Sequence, residues 1–332
     1  MYLEVIEPGV LMTIQDQGRK GYQASGFSVS GCMDLRALHD ANALLNNNLD
    51  EAVLEMCYFG GTVRFTGETY FVLTGADMNP HLNGREVSTY KVTRVKEGDV
   101  LSCGKTKNGR FAYLGVAGGF DVPLVLGSKS TYLKCGIGGY QGRKLKIGDR
   151  IPIRKETKEI LNLYLKQLPP LTYSNRVNIR VVPGPQFSYF TESGIAAFFQ
   201  EEYKVTEASD RMGYRLEGPV ISYYDKVDII SDAIVFGSIQ IPAIGMPMIL
   251  LADRQTTGGY AKIGTVITSD LPKLVQCMPG AKVRFECITV EEAILCCKRE
   301  DKLRRQLRRK VGYCPNNMGW IERKVEEWKQ RK

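Results

Sequence analysis

Apolar positions along the chain come mostly in short runs rich in Val, Ile, Phe and Tyr, broken every few residues by Gly, Asn, Asp or Pro. That pattern predicts strands. It marks Tyr2–Ile6, Ala52–Cys57, Thr62–Phe65, Tyr70–Leu73, Phe111–Val116, Ile179–Val182, Val227–Ile230, Met248–Leu251 and Lys282–Cys287. The turns "EGDV" (97–100), "IGDR" (147–150) and "PGAK" (279–282) each lead into a strand. Such spacing reads as barrels or sandwiches rather than a doubly wound sheet. Helices are few. Met33–Asn46 places Leu35, Leu38, Ala41, Leu44 and Leu45 on one face, and Gly194–Glu202 reads as a second, short helix. Thr289–Lys310 is the clearest, with Thr289 and Glu292 at capping-box spacing.

The stretch Lys155–Asn178 has no strong pattern and contains Pro169 and Pro170, which reads as a linker. With 332 residues, about two domains of roughly 100–200 residues each are expected. The boundaries fall at 1–160 for a first β domain with an inserted helix, 175–297 for a second, and 298–332 for an extension. "FVLTGAD" (71–77) and "MILLAD" (248–253) are both apolar strands ending in Ala-Asp. They hint at duplication, although strand-to-turn junctions resemble one another in unrelated segments.

Charge changes this picture only at the C-terminal end. The net charge is +9, but residues 298–332 hold thirteen Lys/Arg against five Asp/Glu, leaving 32 against 31 in the first 297. A generally basic binding face is therefore not supported, and no nucleic-acid partner is expected. Nine cysteines are odd in number and lack C-x-x-C spacing, which points to a reducing, cytoplasmic setting rather than a disulfide framework. The start, MYLEVIEPG, has no basic and apolar leader pattern, and no apolar run is long enough to span a membrane. His39 and His81 are the two histidines, and both read as surface residues rather than members of a triad or zinc site. "VLGSKST" (125–131) echoes a phosphate loop without its required spacing, and "GIGGYQGR" (136–143) reads as an anion nest or simply as turns.

Candidate chemistry concentrates in four polar clusters beside apolar segments. They are "TIQDQGRKGYQASG" (13–26), "SVSGCMD" (28–34), "SDRMGYRLEG" (209–218), and "PMILLADRQTTGGYAKIG" (247–264) with "GSIQIP" (237–242). Arginine forks suit carboxylate and phosphate, Asp suits a metal or water, Gln and Thr suit an amide, and glycine permits close approach. The plain alternative is structural, because Asp-Arg pairs and Gly turns are common in β proteins. Glu55 shares a strand face with Val53 and Cys57. It reads as a solvated position, or else as a carboxylate in a partly dry site where its pKa would rise.

At these clusters, and at "LTGAD", "GVAGGFDVP", "LGSKST", "GGYQGRKL", "VVPGPQ" and "GSIQIPAIGMP", the sequence resembles the C subunits of bacterial 5-oxoprolinases over about residues 1–295. That family is also called biotin-dependent carboxyltransferase or allophanate hydrolase subunit 2, and includes a kinase-inhibitor antagonist. The resemblance implies a mainly β protein of two cyclophilin-like β-barrel domains with few helices and a C-terminal basic helix. It implies a cytoplasmic hydrolase that acts with the A and B subunits of 5-oxoprolinase. The complex would convert 5-oxo-L-proline to L-glutamate with ATP and Mg²⁺ and no covalent biotin on this chain. In that setting Arg19, Arg211, Arg215 and Arg254 are candidate anion binders, and Asp16, Asp77 and Asp253 candidate metal or water ligands. Gln15, Gln240, Gln255, Thr256 and Thr257 would orient substrate, Gly258 and Gly259 would allow close approach, and Tyr260 would close one wall. Two other readings stay open: a carboxyltransferase component of a urea-carboxylase-type system, and a non-enzymatic antagonist of a kinase inhibitor. The basic extension reads as a solvated helix, a docking arm for an acidic partner, or a nonspecific nucleic-acid contact.

Overall fold

The computed structural model describes residues 1–154, 163–225 and 228–313, so part of the expected linker, Val227 and the end of the basic extension lie outside the described residues. The first half contains β1 (Tyr2–Glu7), β2 (Leu11–Gln15), α1 (Leu35–Leu44), β3 (Val53–Cys57), β4 (Thr62–Phe65), β5 (Thr69–Asp77), β6 (His81–Leu82), β7 (Arg85–Glu86), β8 (Thr93–Val95), β9 (Val100–Ser102), β10 (Asn108–Val116) and β11 (Arg150–Pro152). The second contains β12 (Arg176–Pro183), α2 (Glu192–Gln200), β13 (Tyr203–Val205), β14 (Gly213–Glu217), β15 (Asp228–Ala233), β16 (Ser238–Gln240), β17 (Met248–Leu250), β18 (Thr257–Tyr260), β19 (Lys262–Val266), α3 (Leu271–Val275) and β20 (Lys282–Cys287), followed by α4 (Val290–Lys310).

The mainly β expectation, with few helices and a basic helix at the end, holds. The first half pairs a sheet β11-β1-β4-β9-β6-β7 with a sheet β2-β3-β10-β5-β8. Leu3, Val5, Met12, Ile14, Leu54, Phe65 and Phe71 fill the space between them. The second half closes into a seven-stranded barrel, β12-β19-β16-β17-β14-β13-β20, and closure removes its free edges. β15 and β18 form a separate two-stranded ribbon, which the sequence pattern had not separated from the barrel.

The five residues of β3 are all buried. Leu54 and Met56 enter the inner core of the first half, whereas Val53 and Cys57 enter a second core. That second core also holds Leu38, Leu44 and Tyr113 of the first half, and Ile179, Tyr214, Ile239 and Val283 of the barrel. The reading of the Glu55 face as solvated therefore fails: α1 and the barrel cover it, and Glu55 is 1% exposed. Only the alternation is written in β3; what lies against each face is decided by distant segments.

Local signals set the helix ends. Asp34 caps α1, its carboxylate accepting the Ala37 amide at 3.0 Å, and losing such a cap costs about 1 kcal/mol. Thr289 and Glu292 close the expected capping box at α4. α3, one short turn with Pro272 near its start, has no periodicity long enough to detect.

Candidate functional site

Four strands of one sheet line up a row of polar side chains. Thr13 lies opposite Glu55, Glu55 opposite Tyr113, and Tyr113 opposite Thr74. This row faces the second core and holds the loop 28–34 and the start of α1. Glu55 accepts the Met33 amide at 2.8 Å, the Tyr113 hydroxyl accepts the Asp34 amide at 2.8 Å, and Thr74 donates to the Ala37 carbonyl at 2.8 Å.

Arg211 crosses from the barrel into this row. Its guanidinium pairs with Glu55, donates to Asp253 at 2.9 and 3.1 Å, and donates to the Gly31 carbonyl at 2.8 Å. Ser30 donates to Asp253 at 2.7 Å, and Ser28 donates to the Ala252 carbonyl at 3.2 Å. Three of the four clusters, 28–34, 209–218 and 247–264, thus meet in one seam between the halves. Burial alone pulls the Arg211 pKa down, but Asp253 and Glu55 more than offset it and leave it raised. Two carboxylates share one guanidinium, and burial pushes the deeper one, Glu55, up.

Arg19 and Arg254 are buried without such partners. Arg19 is fully buried, donates to the carbonyls of Val125 at 3.1 Å and Ser130 at 2.8 Å, and has no partner for Nη1. Burial lowers its pKa, with Asp16 and Asp253 opposing only in part. Gly138 makes room for it, since a Cβ there would lie 2.7 Å from Arg19 Nη2 and collide with the Ser130 carbonyl. Arg254 donates to the carbonyls of Ile234 at 3.3 Å and Leu251 at 3.1 Å. Burial pulls its pKa down to about 10, opposed by Asp253. Neither arginine forms an ion pair among the described residues, and Asp253 exerts its charge on both.

Amide groups lie in the same clusters. Gln15 donates to Thr13 Oγ1 at 3.0 Å and the Thr131 carbonyl at 3.1 Å, and Gln240 donates to the Tyr260 carbonyl at 3.2 Å. The Oε1 atoms of Gln15, Gln240 and Gln255 are buried with no donor. A buried acceptor left unmade is unfavourable by about 1–3 kcal/mol. Gly258 lies close beside Gln240, where a Cβ would stand 2.7 Å from its Nε2 and displace the ends of the Gln240 and Ile234 side chains. Thr256 is half-buried, and Thr257, Gly259 and Tyr260 belong to β18 in the ribbon.

Other expected residues behave differently. Both Asp16 oxygens are engaged: Oδ1 accepts from Gly18 N at 2.8 Å, Ser128 Oγ at 2.7 Å and Ser130 Oγ at 2.5 Å, and Oδ2 accepts from Lys129 N at 2.6 Å. The phosphate-loop echo at 125–131 is thus spent on an internal carboxylate. A cavity of about 920 Å³ opens beside Asp16, lined also by Lys20, Glu51, Lys129 and Arg154 but by neither Arg211 nor Arg254. Asp77 is not brought to the seam. It stands three residues beyond Thr74, the β5 member of the row, about 10 Å along the strand, and its carboxylate accepts the Asn79 amide at 2.8 Å. Arg215 is exposed on the outer face of β14. His39, read as a surface residue, is half-buried against Gln17, with a ring–amide contact of 3.1 Å. His81 contacts the Asn79 carbonyl at 2.9 Å. No group of three or more His, Cys, Asp or Glu among the described residues is placed to hold a metal ion. With Asp16 and Asp253 already engaged, the carboxylates here do not fit a divalent cation held by this chain alone.

The sequence pattern missed Gln276 and Arg110. Gln276 accepts from the amides of Arg110 at 2.8 Å and Phe111 at 3.0 Å and donates to Asp34 at 3.0 Å. Arg110 lies 4.6 Å from the ring centres of both Tyr58 and Tyr214. These partners are far apart in the chain, and no local spacing signals them.

A model of the carboxyltransferase domain, subdomain A and B, matches residues 25–287. The chain is 38% identical over 292 residues to the 5-oxoprolinase C subunit of Escherichia coli (strain K12), covering 88% of this chain and 93% of that protein. It is 36% identical over 310 residues to the 5-oxoprolinase C subunit of Haemophilus influenzae, covering 93% and 98%. The crystal structure of the Kluyveromyces lactis urea carboxylase superposes with a TM-score of 0.85 at 30% identity over 92% of this chain, which spans 29% of that one.

Proposed function

This chain belongs to the carboxyltransferase domain family, subdomains A and B, and from that premise we propose that it works as the C subunit of an ATP-dependent 5-oxoprolinase. The reaction would open 5-oxo-L-proline to L-glutamate with ATP and water. The observation that carries this reading is the match at 38% and 36% identity to nearly the full length of two proteins of that name.

The seam supports it chemically. A five-membered lactam carries a carboxylate, one N–H and a resonance-stabilised carbonyl. Arg19 and Arg254 are cations in a dry setting with no carboxylate of their own. An anion there would regain what burial takes from them. The unpartnered Oε1 atoms of Gln15 and Gln240 suit the lactam N–H. Asp253, clamped by Arg211 and Ser30, holds its carboxylate in a fixed orientation near both free arginines. Donors fixed in advance in a site shielded from water stabilise charge that develops during reaction. ATP supplies the activation of the carbonyl. It and its Mg²⁺ are assigned to the complex with the A and B subunits, because the carboxylates of this chain do not fit the metal.

The superposition on a urea carboxylase favours a second reading, transfer of a carboxyl group from biotin carried on another protein. A mixture of the purified A and B subunits with this chain separates the two. Glutamate release from 5-oxoproline that requires ATP and no biotin is expected. Biotin-dependent carboxylation without lactam opening would support the alternative, and no turnover of any substrate would leave the non-enzymatic antagonist.

A further inference from the structure

α4 is anchored by one side. Arg304 pairs with Asp40 of α1 at 3.1 Å, and Leu307 packs against the second core. At 3.6 residues per turn, that anchoring turns Lys298, Lys302, Arg305 and Arg309 outward. Their spacing of four, three and four residues forms one stripe about 16 Å long. All four are exposed. Lys298, Lys302 and Arg309 have no ion-pair partner among the described residues, and Arg305 has only Asp301 at 3.8 Å, with both side chains about 70% exposed. Residues 298–310 hold eight Lys/Arg against two Asp/Glu, on a body that is nearly neutral. Ile294 and Leu295 stand at the N-terminal end of the stripe, and Leu303 lies to one side of it next to the anchoring Leu307, each about half exposed. A depression of about 530 Å³ lies beside Leu303 and Leu307.

We infer that the outer face of α4 is a docking surface for an acidic, partly apolar face of a companion protein subunit. The inference rests on the reading of this chain as one subunit of a complex. Cations at helical spacing call for carboxylates in a matching row. The apolar side chains at the end of the stripe and beside it would gain from burial against a protein surface, which a phosphate backbone does not offer. The neutral body lacks the broad positive footprint of a nucleic-acid binder.

The test is the quadruple variant K298E/K302E/R305E/R309E of the full chain, with binding to the purified A and B subunits measured by calorimetry. The wild type is expected to bind, more weakly as salt rises from about 0.05 to 0.5 M. The variant should lose at least about tenfold in affinity with an unchanged circular dichroism spectrum and melting temperature. A folded variant that binds as the wild type does would overturn the inference while leaving the functional reading standing. If the wild type binds neither of them, the functional reading falls, and this assignment of the occupant with it. Unchanged binding to the A and B subunits, together with loss of binding to a 20-base-pair DNA duplex or phosphatidylglycerol vesicles, would also overturn it, in favour of a phosphate ligand.

Discussion

Arg211, Arg19 and Arg254 are all buried, but their surroundings give them opposite roles. Arg211 is fully bonded to two carboxylates and a carbonyl. Arg211→Ala would strand Glu55 and Asp253 inside the protein, a loss of about 3–5 kcal/mol, measurable by urea unfolding. Arg254 has two carbonyls and the face of the Phe236 ring, and no carboxylate. Arg254→Met fills similar volume without a charge, so its stability should stay within about 1 kcal/mol of the wild type. The sequence shows an arginine and its neighbours, and so Arg19, Arg211, Arg215 and Arg254 look alike in it. Which is paired, unpaired or solvent-facing depends on residues up to half the chain away. Glu55, the partner that distinguishes Arg211, was legible as a strand residue, and of its two readings the dry-site carboxylate is the one that holds.

At the scale of elements, α1 carries two neighbouring groups that titrate in the same range with opposite sign. Burial raises the Asp40 carboxyl to about 6 despite Arg304. Its folded pKa exceeds its unfolded value near 3.8, so this contribution is complete below about pH 4 and lost as pH rises through 6. Burial, with Arg308, lowers His39 to about 4 from 6.5. Its contribution is present above 6.5 and lost as pH falls through 4. Each amounts to roughly 3 kcal/mol, so the two largely cancel in the wild type. Removing one exposes the other. Between pH 4 and 6.5, the stability of His39→Gln relative to the wild type should rise on acidification, and that of Asp40→Asn relative to the wild type should fall. Parallel profiles for the two variants by chemical denaturation would contradict this. The helix itself, with its cap and apolar face, was readable from the sequence because those signals are local. The ribbon β15–β18 was not, since the strands of an isolated ribbon and of a barrel have the same alternation.

For the whole molecule, the second core joins α1 and β3 to the barrel strands without a break. The expected division near residues 160–175 therefore separates two β structures that share an interior. Calorimetry should give one cooperative transition, and two well-separated transitions would argue against a shared core. The mainly β class was visible from strand spacing. The seam was not, because it is made where distant loops meet. The functional reading turns on whether this seam holds a substrate anion on guanidiniums left unpaired for it. ATP-dependent glutamate release from 5-oxoproline decides that, measured on the assembled complex carrying Arg254→Met beside the wild-type complex. A fall of about 10²–10³-fold, the usual effect of losing one charge-stabilising donor, in a protein of unchanged stability is the expected result. Full turnover by that variant would contradict the account, excluding Arg254 as a holder of the substrate anion.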